Sequence, residues 1–407
     1  MEYGNILFIS LTIMITVIFF SWVYLFIYTI SFLKQVPKLQ SFKFSKNVKL
    51  PKVSVILPAR NEEKYIQSCL KSLSEQDYNN YEIIVINDSS TDKTDEIIRN
   101  FSSIHSKITL LEIDVTPVGW TGKNWACYQG YLNSTGDLFL FTDADSIHSS
   151  ETISLAVDHL LSKELDVLTA APKILTNDFW TKITLPILWT LSLVKYSPLT
   201  ANNPNSKVGY LFGSFFIITR KAYEVIGTHK SVKREIIEDG ALGRRVKEYG
   251  FKLNVVHGTD HIQAIWARDT STLWHGLRRL IVSLLHREKI NTYLMVFATF
   301  LVLLLPLLVF PFSISHILQH NNIVIFNINL NIILFSLGLS SLLLLVITSI
   351  LQSKYIVLQN TIYSLYFPLG CFFIVIAFLT SILNYGNRYT VNWKNRIYNI
   401  NEDSEKR

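Results

Sequence analysis

The sequence predicts an α/β domain with a parallel-dominated sheet, flanked by transmembrane α-helices. Two observations carry this. Between about Leu50 and Lys289, short apolar runs alternate with amphipathic ones, the pattern of strands and helices layered on a parallel sheet. On either side lie uncharged apolar stretches longer than the ~20 residues a spanning helix needs. In 407 residues, 49% are hydrophobic and only 17% charged, so part of the chain is built for an apolar surrounding. The net charge of +7 comes without a Lys/Arg cluster interleaved with aromatics, which excludes a nucleic-acid surface and fits positive loops at a membrane face. Three scattered cysteines, Cys69, Cys127 and Cys371, exclude a disulfide framework or a cysteine zinc site and suit a reducing compartment.

Residues 5–33 carry no charge. The apolar core is too long for a cleaved signal peptide, no basic segment precedes it and no small-residue cleavage site follows, so it reads as a retained span. Lys34, Lys38, Lys43, Lys46 and Lys49 follow it and only Glu2 precedes it, which places the N-terminus outside and the next domain in the cytoplasm of a cell-membrane protein. The domain then opens with "VSVILPA" (53–59) as a buried strand and "EEKYIQSCLKSLSEQ" as a helix. "YEIIVIND" (81–88) is a second strand and "TDKTDEIIRNFSS" a second helix. "KITLLEI", "KNWACYQGYLNS" and "DLFLFTDAD" give a third strand, a third helix and a fourth strand. Neither a dinucleotide fingerprint nor a phosphate-binding P-loop occurs. Residues 179–199, "FWTKITLPILWTLSLVKYSPL", are apolar and aromatic with two lysines and two prolines, and read as an interfacial segment at the bilayer surface.

No Lys, Arg, Asp or Glu occurs from Asn291 to Gln352, room for spans near 293–312 and 329–351 around an external turn at "SISHILQHNN"; a third span fits within 355–383. One span before the domain and three after it put the C-terminus outside, whereas Arg388, Lys394 and Arg396 favour the inside. Pro306 and Pro311 open a second reading of the first of these spans, as re-entrant or interfacial. The organisation expected is a span and basic linker (1–49), a catalytic domain (50–290), spans (291–387) and a polar tail (388–407).

Ligands of open α/β sheets bind off the carboxyl ends of the strands. Pro58, Arg60 and Glu62 sit there on the first strand, Asp88 on the second, Lys123 beyond the third, and Asp143 and Asp145 on the fourth. Two carboxylates one residue apart at the end of a buried strand call for a cation. Either they cap the helix starting near Ser149, or, with Asp88 ending an earlier strand on the same edge, they form a hard-oxygen site for Mg²⁺ or Mn²⁺ carrying a diphosphate.

"VSVILPARNEE", "YEIIVINDSSTDKT", "GWTGKNWACYQG", "LFLFTDADS" and "IIEDGALGRRVKEYG" resemble, in order and spacing, the successive motifs of the family 2 glycosyltransferases of GT-A fold. The "GWTGKNWA" form and the "WKNRIY" tail resemble the membrane-bound branch that includes carotenoid, hopanoid-associated and ceramide glycosyltransferases. The resemblance implies a membrane-bound inverting enzyme moving a sugar from a nucleotide-sugar, UDP-linked, to the hydroxyl of a lipid or polyprenoid acceptor. It implies that Pro58, Arg60 and Glu62 line the base and ribose and Asp88 the base edge. Lys123 would approach the phosphates, Asp143 would contact the sugar or ribose and help hold a divalent metal (Mg or Mn), Asp145 would be the main metal ligand, and Asp239 the general base.

Other readings stay open at several positions. Asp239 precedes "GALGRRVKEYG", so a helix cap is the alternative to a base. Glu238 either orients the base or is a solvated acid. Trp120 and Trp125 are packing residues or stack on substrate, and His257 and His261 read as structural. The family's Gln/Arg-x-x-Arg-Trp motif is matched only in part, at His275–Arg279, where Arg278 keeps the fourth position: it clamps the diphosphate, or Arg278 and Arg279 are interfacial cations. That departure counts against a processive polysaccharide synthase; the enzyme alternative is a polysaccharide or lipid-phosphate glycosyl synthase. The alternative of another class is an inactive membrane scaffold.

Overall fold

The computed structural model describes residues 2–41, 50–319, 324–325, 328–384, 390–393 and 396–399. Helix α1 (Glu2–Gln35) leads into an α/β domain: β1 (Val53–Ala59), α2 (Ile66–Ser74), β2 (Tyr81–Asp88), α3 (Thr94–Ile104), β3 (Ile108–Ile113), α4 (Gly122–Leu132), β4 (Leu138–Phe141), β5 (Ser146–His148), α5 (Thr152–Ser162), β6 (Val167–Ala171) and β7 (Lys173–Ile174). The apolar helix α6 (Phe179–Lys195) and short α7 (Pro198–Ala201) interrupt it. It resumes with β8 (Phe216–Thr219), α8 (Arg220–Val225), α9 (Glu238–Glu248), β9 (Leu253–His257) and β10 (Ile262–Ala264), and ends in helices α10 (Thr270–Arg287), α11 (Lys289–Leu318), α12 (Leu330–Gln352) and α13 (Phe367–Leu383).

Seven strands form one sheet in the order β3-β2-β1-β4-β8-β6-β9. β8 runs antiparallel to both neighbours, and the other pairs are parallel. The central strands are apolar throughout because both faces are covered, as a parallel sheet requires. Alternate residues divide between the faces: Val55, Leu57 and Val85 pack with α2, and Ile56, Ile84 and Ile86 with α4. Consecutive strands diverge from β1, with β2 on one side and β4 on the other, and this opens a crevice at their carboxyl ends. Since β8 is antiparallel, the segment entering it, 209–215, reaches the same edge. A small second sheet, β5-β10-β7, flanks the crevice.

Four helices are long and apolar enough to cross a membrane: Phe8–Gln35, Lys289–Leu318, Leu330–Val357 and Thr361–Leu383. Two sequence expectations are corrected here. Lys289–Leu318 runs as one helix through Pro306 and Pro311, so the prolines do not break it. Residues 313–318, expected as a turn, are its last turns: the hydroxyls of Ser313 and Ser315 donate back to the carbonyls of Phe310 and Phe312 at 2.7 and 2.8 Å, so those polar groups are satisfied within the helix. Arg388, Lys394 and residues 400–407 of the expected tail lie outside the described residues.

Several contacts among the described residues tie the α/β domain to the helices. Beyond α1, the Leu39 N–H donates to the His257 carbonyl and the His257 N–H to the Pro37 carbonyl, each at 2.8 Å, while Phe32 packs on the His257 ring. Asp178 caps α6 through the Thr181 N–H at 2.7 Å and accepts from the Thr270 hydroxyl at 2.9 Å, which locks α6 to the start of α10. Against α13, a Cβ at Gly370 would stand 2.6 Å from the Ile183 carbonyl, a backbone approach that only glycine permits.

Candidate active site

The strand ends build the site from one side. After β1 and β2 the chain turns through Asn61 and Ser89, both with φ near +52°. Arg60 Nη1 donates to the carbonyls of Asp88 and Ser89 at 2.6 and 3.0 Å and laces the two turns together. Pro58 is half-buried at this edge, and Glu62 and Asp88 are buried in it.

Lys123 occupies the first turn of α4, where Thr121 is the N-cap. A cation there opposes the helix dipole, and its partners explain its presence: Nζ lies 2.6 Å from Asp143 Oδ1 and 2.7 Å from Glu238 Oε1. Burial alone would lower its pKa, but Asp143, Glu238 and Asp239 raise it well above the ordinary value, so it stays a cation. The loop delivering Glu238 and Asp239 is held on α4 by Asn124, whose side-chain amide donates to the carbonyls of Val232 and Glu235 at 2.7 and 3.0 Å. Glu238 is thus a buried ion-pair partner, not a solvated acid.

Asp239 lies in the first turn of α9, but the N-cap position is Ile237 and no side chain caps the helix. Its Oδ2 accepts the Gly213 N–H at 2.9 Å and its Oδ1 the Gly240 N–H at 2.6 Å. Burial and the neighbouring Glu238 push its pKa up to about 6 against the pull of Lys123. Gly213, in the segment entering β8, is the point of convergence. A Cβ there would sit 3.1 Å from Asp239 Oδ2, 3.2 Å from Lys123 Nζ and 3.3 Å from Asp143 Oδ2. The close seat depends on two further glycines: Cβ atoms at Gly209 and Gly243 would meet backbone of α9 and of Tyr210 at 2.1 and 2.3 Å.

Asp143 and Asp145 do not cap the following helix. α5 begins at Thr152 after Glu151, with no side-chain cap. Burial and Asp143 push the Asp145 carboxyl up to about 6, although Arg268 Nη2 lies 3.5 Å from its Oδ2. The same guanidinium pairs with Glu62 and lies over the Tyr65 ring, 4.6 Å from its centre. Two partly buried carboxylates side by side, with a penalty on the charged form of Asp145, suit a divalent cation. Among the described residues no set of three His, Cys, Asp or Glu side chains converges as a complete metal cage. That donor set fits Mg²⁺ or Mn²⁺, which bind through one or two carboxylates and complete their shell with substrate phosphates.

Two residues of the site escaped the sequence reading. Arg268, in the loop between β10 and α10, meets the carboxylates of Glu62 and Asp145; Arg278 is half-buried on α10. Gly213 carried a weak signal, the glycine-spaced "GYLFGSFF" (209–216). Trp120 and Trp125 pack on each other and on Tyr128 with ring centres 5.0–6.0 Å apart. His261 Nδ1 lies 3.0 Å from the Ser149 hydroxyl. Toward α6, Trp189 stacks on Phe212, next to Gly213, with ring centres 5.9 Å apart.

A family model described as glycosyl transferase family 2 matches residues 54–227. The chain is 29% identical over 211 residues to 4,4'-diaponeurosporenoate glycosyltransferase of Staphylococcus aureus (strain USA300). That alignment covers 51% of this chain and 54% of the relative, so the chain spans about half the length of the curated relatives it matches. Among solved structures it is similar to the mannosyltransferase PcManGT from Pyrobaculum calidifontis, in complex with GDP-Man and Mn²⁺. The TM-score is 0.54 at 16% identity, with 92% of this chain and 99% of that one covered. The likeness is one of fold, GT-A.

Proposed function

The chain carries a glycosyl transferase family 2 domain, and from that premise we propose that it is a membrane-bound inverting glycosyltransferase. It takes a sugar from a nucleotide-sugar, read as UDP-linked, and delivers it to an acceptor group at the head of a lipid or polyprenoid. The observation that carries this is the convergence of Lys123, Asp143, Glu238 and Asp239 around Gly213, at the carboxyl edge of the sheet and one stacked pair away from the apolar α6. The relative from Staphylococcus aureus, named for a carotenoid acid, supports a lipid acceptor.

In this reading Pro58, Arg60, Glu62 and Asp88 face the nucleoside, and Asp143 and Asp145 hold the metal. A divalent cation held there would supply positive charge to offset that developing on the departing diphosphate. Arg268, already between Glu62 and Asp145, adds a second positive charge on that side. Asp239 accepts the proton of the acceptor hydroxyl as its oxygen attacks the anomeric carbon and the bond to the diphosphate breaks. A carboxylate raised to about 6 is a stronger base than a free one and is still ionised at neutral pH. Glu238 raises that basicity, and Lys123 keeps the cluster from protonating altogether. The domain lies on the cytoplasmic side of the cell membrane, and α6 meets the bilayer surface.

The test uses the purified chain in lipid nanodiscs with labelled nucleotide-sugars and a lipid extract, products being read by mass spectrometry. Asp239→Asn should leave donor affinity little changed and lower transfer by about 10²–10⁴-fold, the usual contribution of a positioned base. A scaffold would transfer nothing in either form, and near-normal turnover in the variant would remove Asp239 from the mechanism.

A further inference from the structure

Arg268 crosses the donor edge. Its Nη2 lies 2.5 Å from Glu62 Oε2, beyond the end of β1, and 3.5 Å from Asp145 Oδ2, beyond the end of β4, so one guanidinium joins two neighbouring strand ends. The small second sheet fixes both sides of this contact. β10 pairs antiparallel with β5, Ala264 opposite Ser146, which brings the loop after β10 beside Asp145, the residue before β5. The Arg268 N–H donates to the Thr272 hydroxyl at 2.8 Å, and Asp269 caps α10 through the Thr272 N–H at 2.8 Å, so the backbone at Arg268 is pinned to the start of α10. The side chain beyond it is 29% exposed, and its guanidinium rests 4.6 Å from the centre of the Tyr65 ring, a flat face over which it can turn.

The cations of this edge differ in how closely they are held. Lys123 Nζ is 2.6 and 2.7 Å from Asp143 and Glu238, and Arg60 is 2.6 and 3.0 Å from its two carbonyls. Arg268 is close on Glu62 and at the limit of a hydrogen bond on Asp145. Asp145 is also the carboxylate read above as a metal ligand, and two cations on one carboxylate repel each other. A diphosphate on the same side offers paired oxygens that match the planar fork of a guanidinium. Glu62 is only 7% exposed on its side chain, so its pairing with Arg268 is little screened by water and holds that charge at the edge.

We propose that Arg268 yields Asp145 to the divalent cation and turns its guanidinium to the diphosphate of the donor, with Glu62 as the anchor that keeps it at the site. This rests on the metal and nucleotide-sugar reading above and deepens it. Arg268 becomes a diphosphate-binding residue, Glu62 a positioning residue that acts through it, and Asp145 the group for which guanidinium and metal compete. Binding of the metal alone and binding of the nucleotide then depend on Arg268 with opposite signs.

The test is binding, read without turnover, on the full chain in phosphatidylcholine nanodiscs. Mn²⁺ alone is titrated and followed by the electron paramagnetic resonance signal of the free ion; UDP is then titrated by calorimetry at saturating Mn²⁺. Arg268→Gln should bind Mn²⁺ at least about fivefold more tightly than the wild type, the low end of couplings between two ligands. It should bind UDP about 10–100-fold more weakly, the value of lost charge-assisted hydrogen bonds, and Arg268→Lys should recover part of that loss. A misfolded variant would lose both ligands, so changes of opposite sign come only from a folded site. Glu62→Gln frees Arg268 for Asp145 and should weaken Mn²⁺ binding, yet change nothing when Arg268 is already glutamine. Additive effects in that double variant would mean that Glu62 acts on the metal directly, and would overturn the proposal. So would Mn²⁺ binding that is absent in the wild type or not tightened in Arg268→Gln, or UDP binding that Arg268→Gln leaves unchanged. Failure of these arms leaves sugar transfer untouched, whereas the expected pattern without transfer of sugar to any lipid would sink the glycosyl-transfer reading alone.

Discussion

Replacing Lys123 by methionine removes one positive charge from among three carboxylates while keeping much of the side-chain volume. Lys123 Nζ and Asp239 Oδ2 both lie within 3.2 Å of one point, the Cβ position at Gly213, so they are at most about 6.4 Å apart. At an effective dielectric of about 20, unit charges at that separation attract by at least ~2.6 kcal/mol. At about 1.4 kcal/mol per unit, that is close to two pKa units. The Asp239 carboxyl, already raised to about 6 with Lys123 in place, should move to near ~8 without it. At pH 7 the ionised fraction of the base then falls about tenfold, and transfer falls with it and recovers toward pH 9. The measurement is the pH profile of kcat/KM for sugar transfer, with Lys123→Arg as the charge-retaining control. Stability falls as well, because the buried Glu238 loses its partner; breaking such a pair costs about 3–5 kcal/mol. A cooperative melting transition of the variant confirms that it is folded. An acidic limb still near pH 6 in folded Lys123→Met would refute the argument that this charge sets the basicity of Asp239.

Asp145→Asn should unfold at a higher temperature than the wild type at pH 8 in EDTA and lose divalent-cation-dependent nucleotide binding. The sign follows from its raised pKa. The folded state takes up a proton on Asp145 below about pH 6 and is penalised above it, so stability declines as pH rises through that value, and a neutral Asn escapes the penalty. Full turnover of the wild type in EDTA, or an unchanged melting temperature in the variant, would contradict this. Gly213→Ala brings a methyl to 3.1–3.3 Å from three charged atoms, which must each give by a few tenths of an ångström. Transfer should fall by roughly tenfold or more while melting shifts little, since displacements at a reacting centre are costly; a normal rate would show that the cluster tolerates the shift. A cysteine at Lys93, in a background lacking native cysteines, should resist membrane-impermeant thiol reagents in intact cells, as a cytoplasmic domain requires. With α11 continuous, four crossings would put the chain beyond Leu383 on the opposite face, so a cysteine at Ser404 should label; protection there would mean that one of the four helices does not cross.

Much of this protein was legible before folding because the relevant information is local. Strands such as Val53–Ala59 and Tyr81–Asp88 are continuous apolar runs, since both faces of a parallel sheet are covered, and their ends are marked by a switch to polar residues. The long uncharged runs could only be buried helices or spans. The positions of Asp88, Asp143 and Asp145 at one edge follow from the strand ends alone, because parallel strands deliver their carboxyl termini together. Partners across the crevice are another matter. That Lys123 meets Glu238, and Gly213 meets Asp239, depends on β8 entering the sheet antiparallel between β4 and β6, and no local pattern encodes a strand's neighbours or its direction. That Arg268 meets Glu62 and Asp145 was hidden for the same reason: position along the chain does not fix a side chain's distance from another element, which is set by packing. The helical run through Pro306 and Pro311 and on to Leu318 belongs with these. Proline and serine read as breakers in water, but in an apolar surrounding the serine hydroxyls have no better acceptors than their own helix's carbonyls, and an open turn would leave backbone groups unsatisfied.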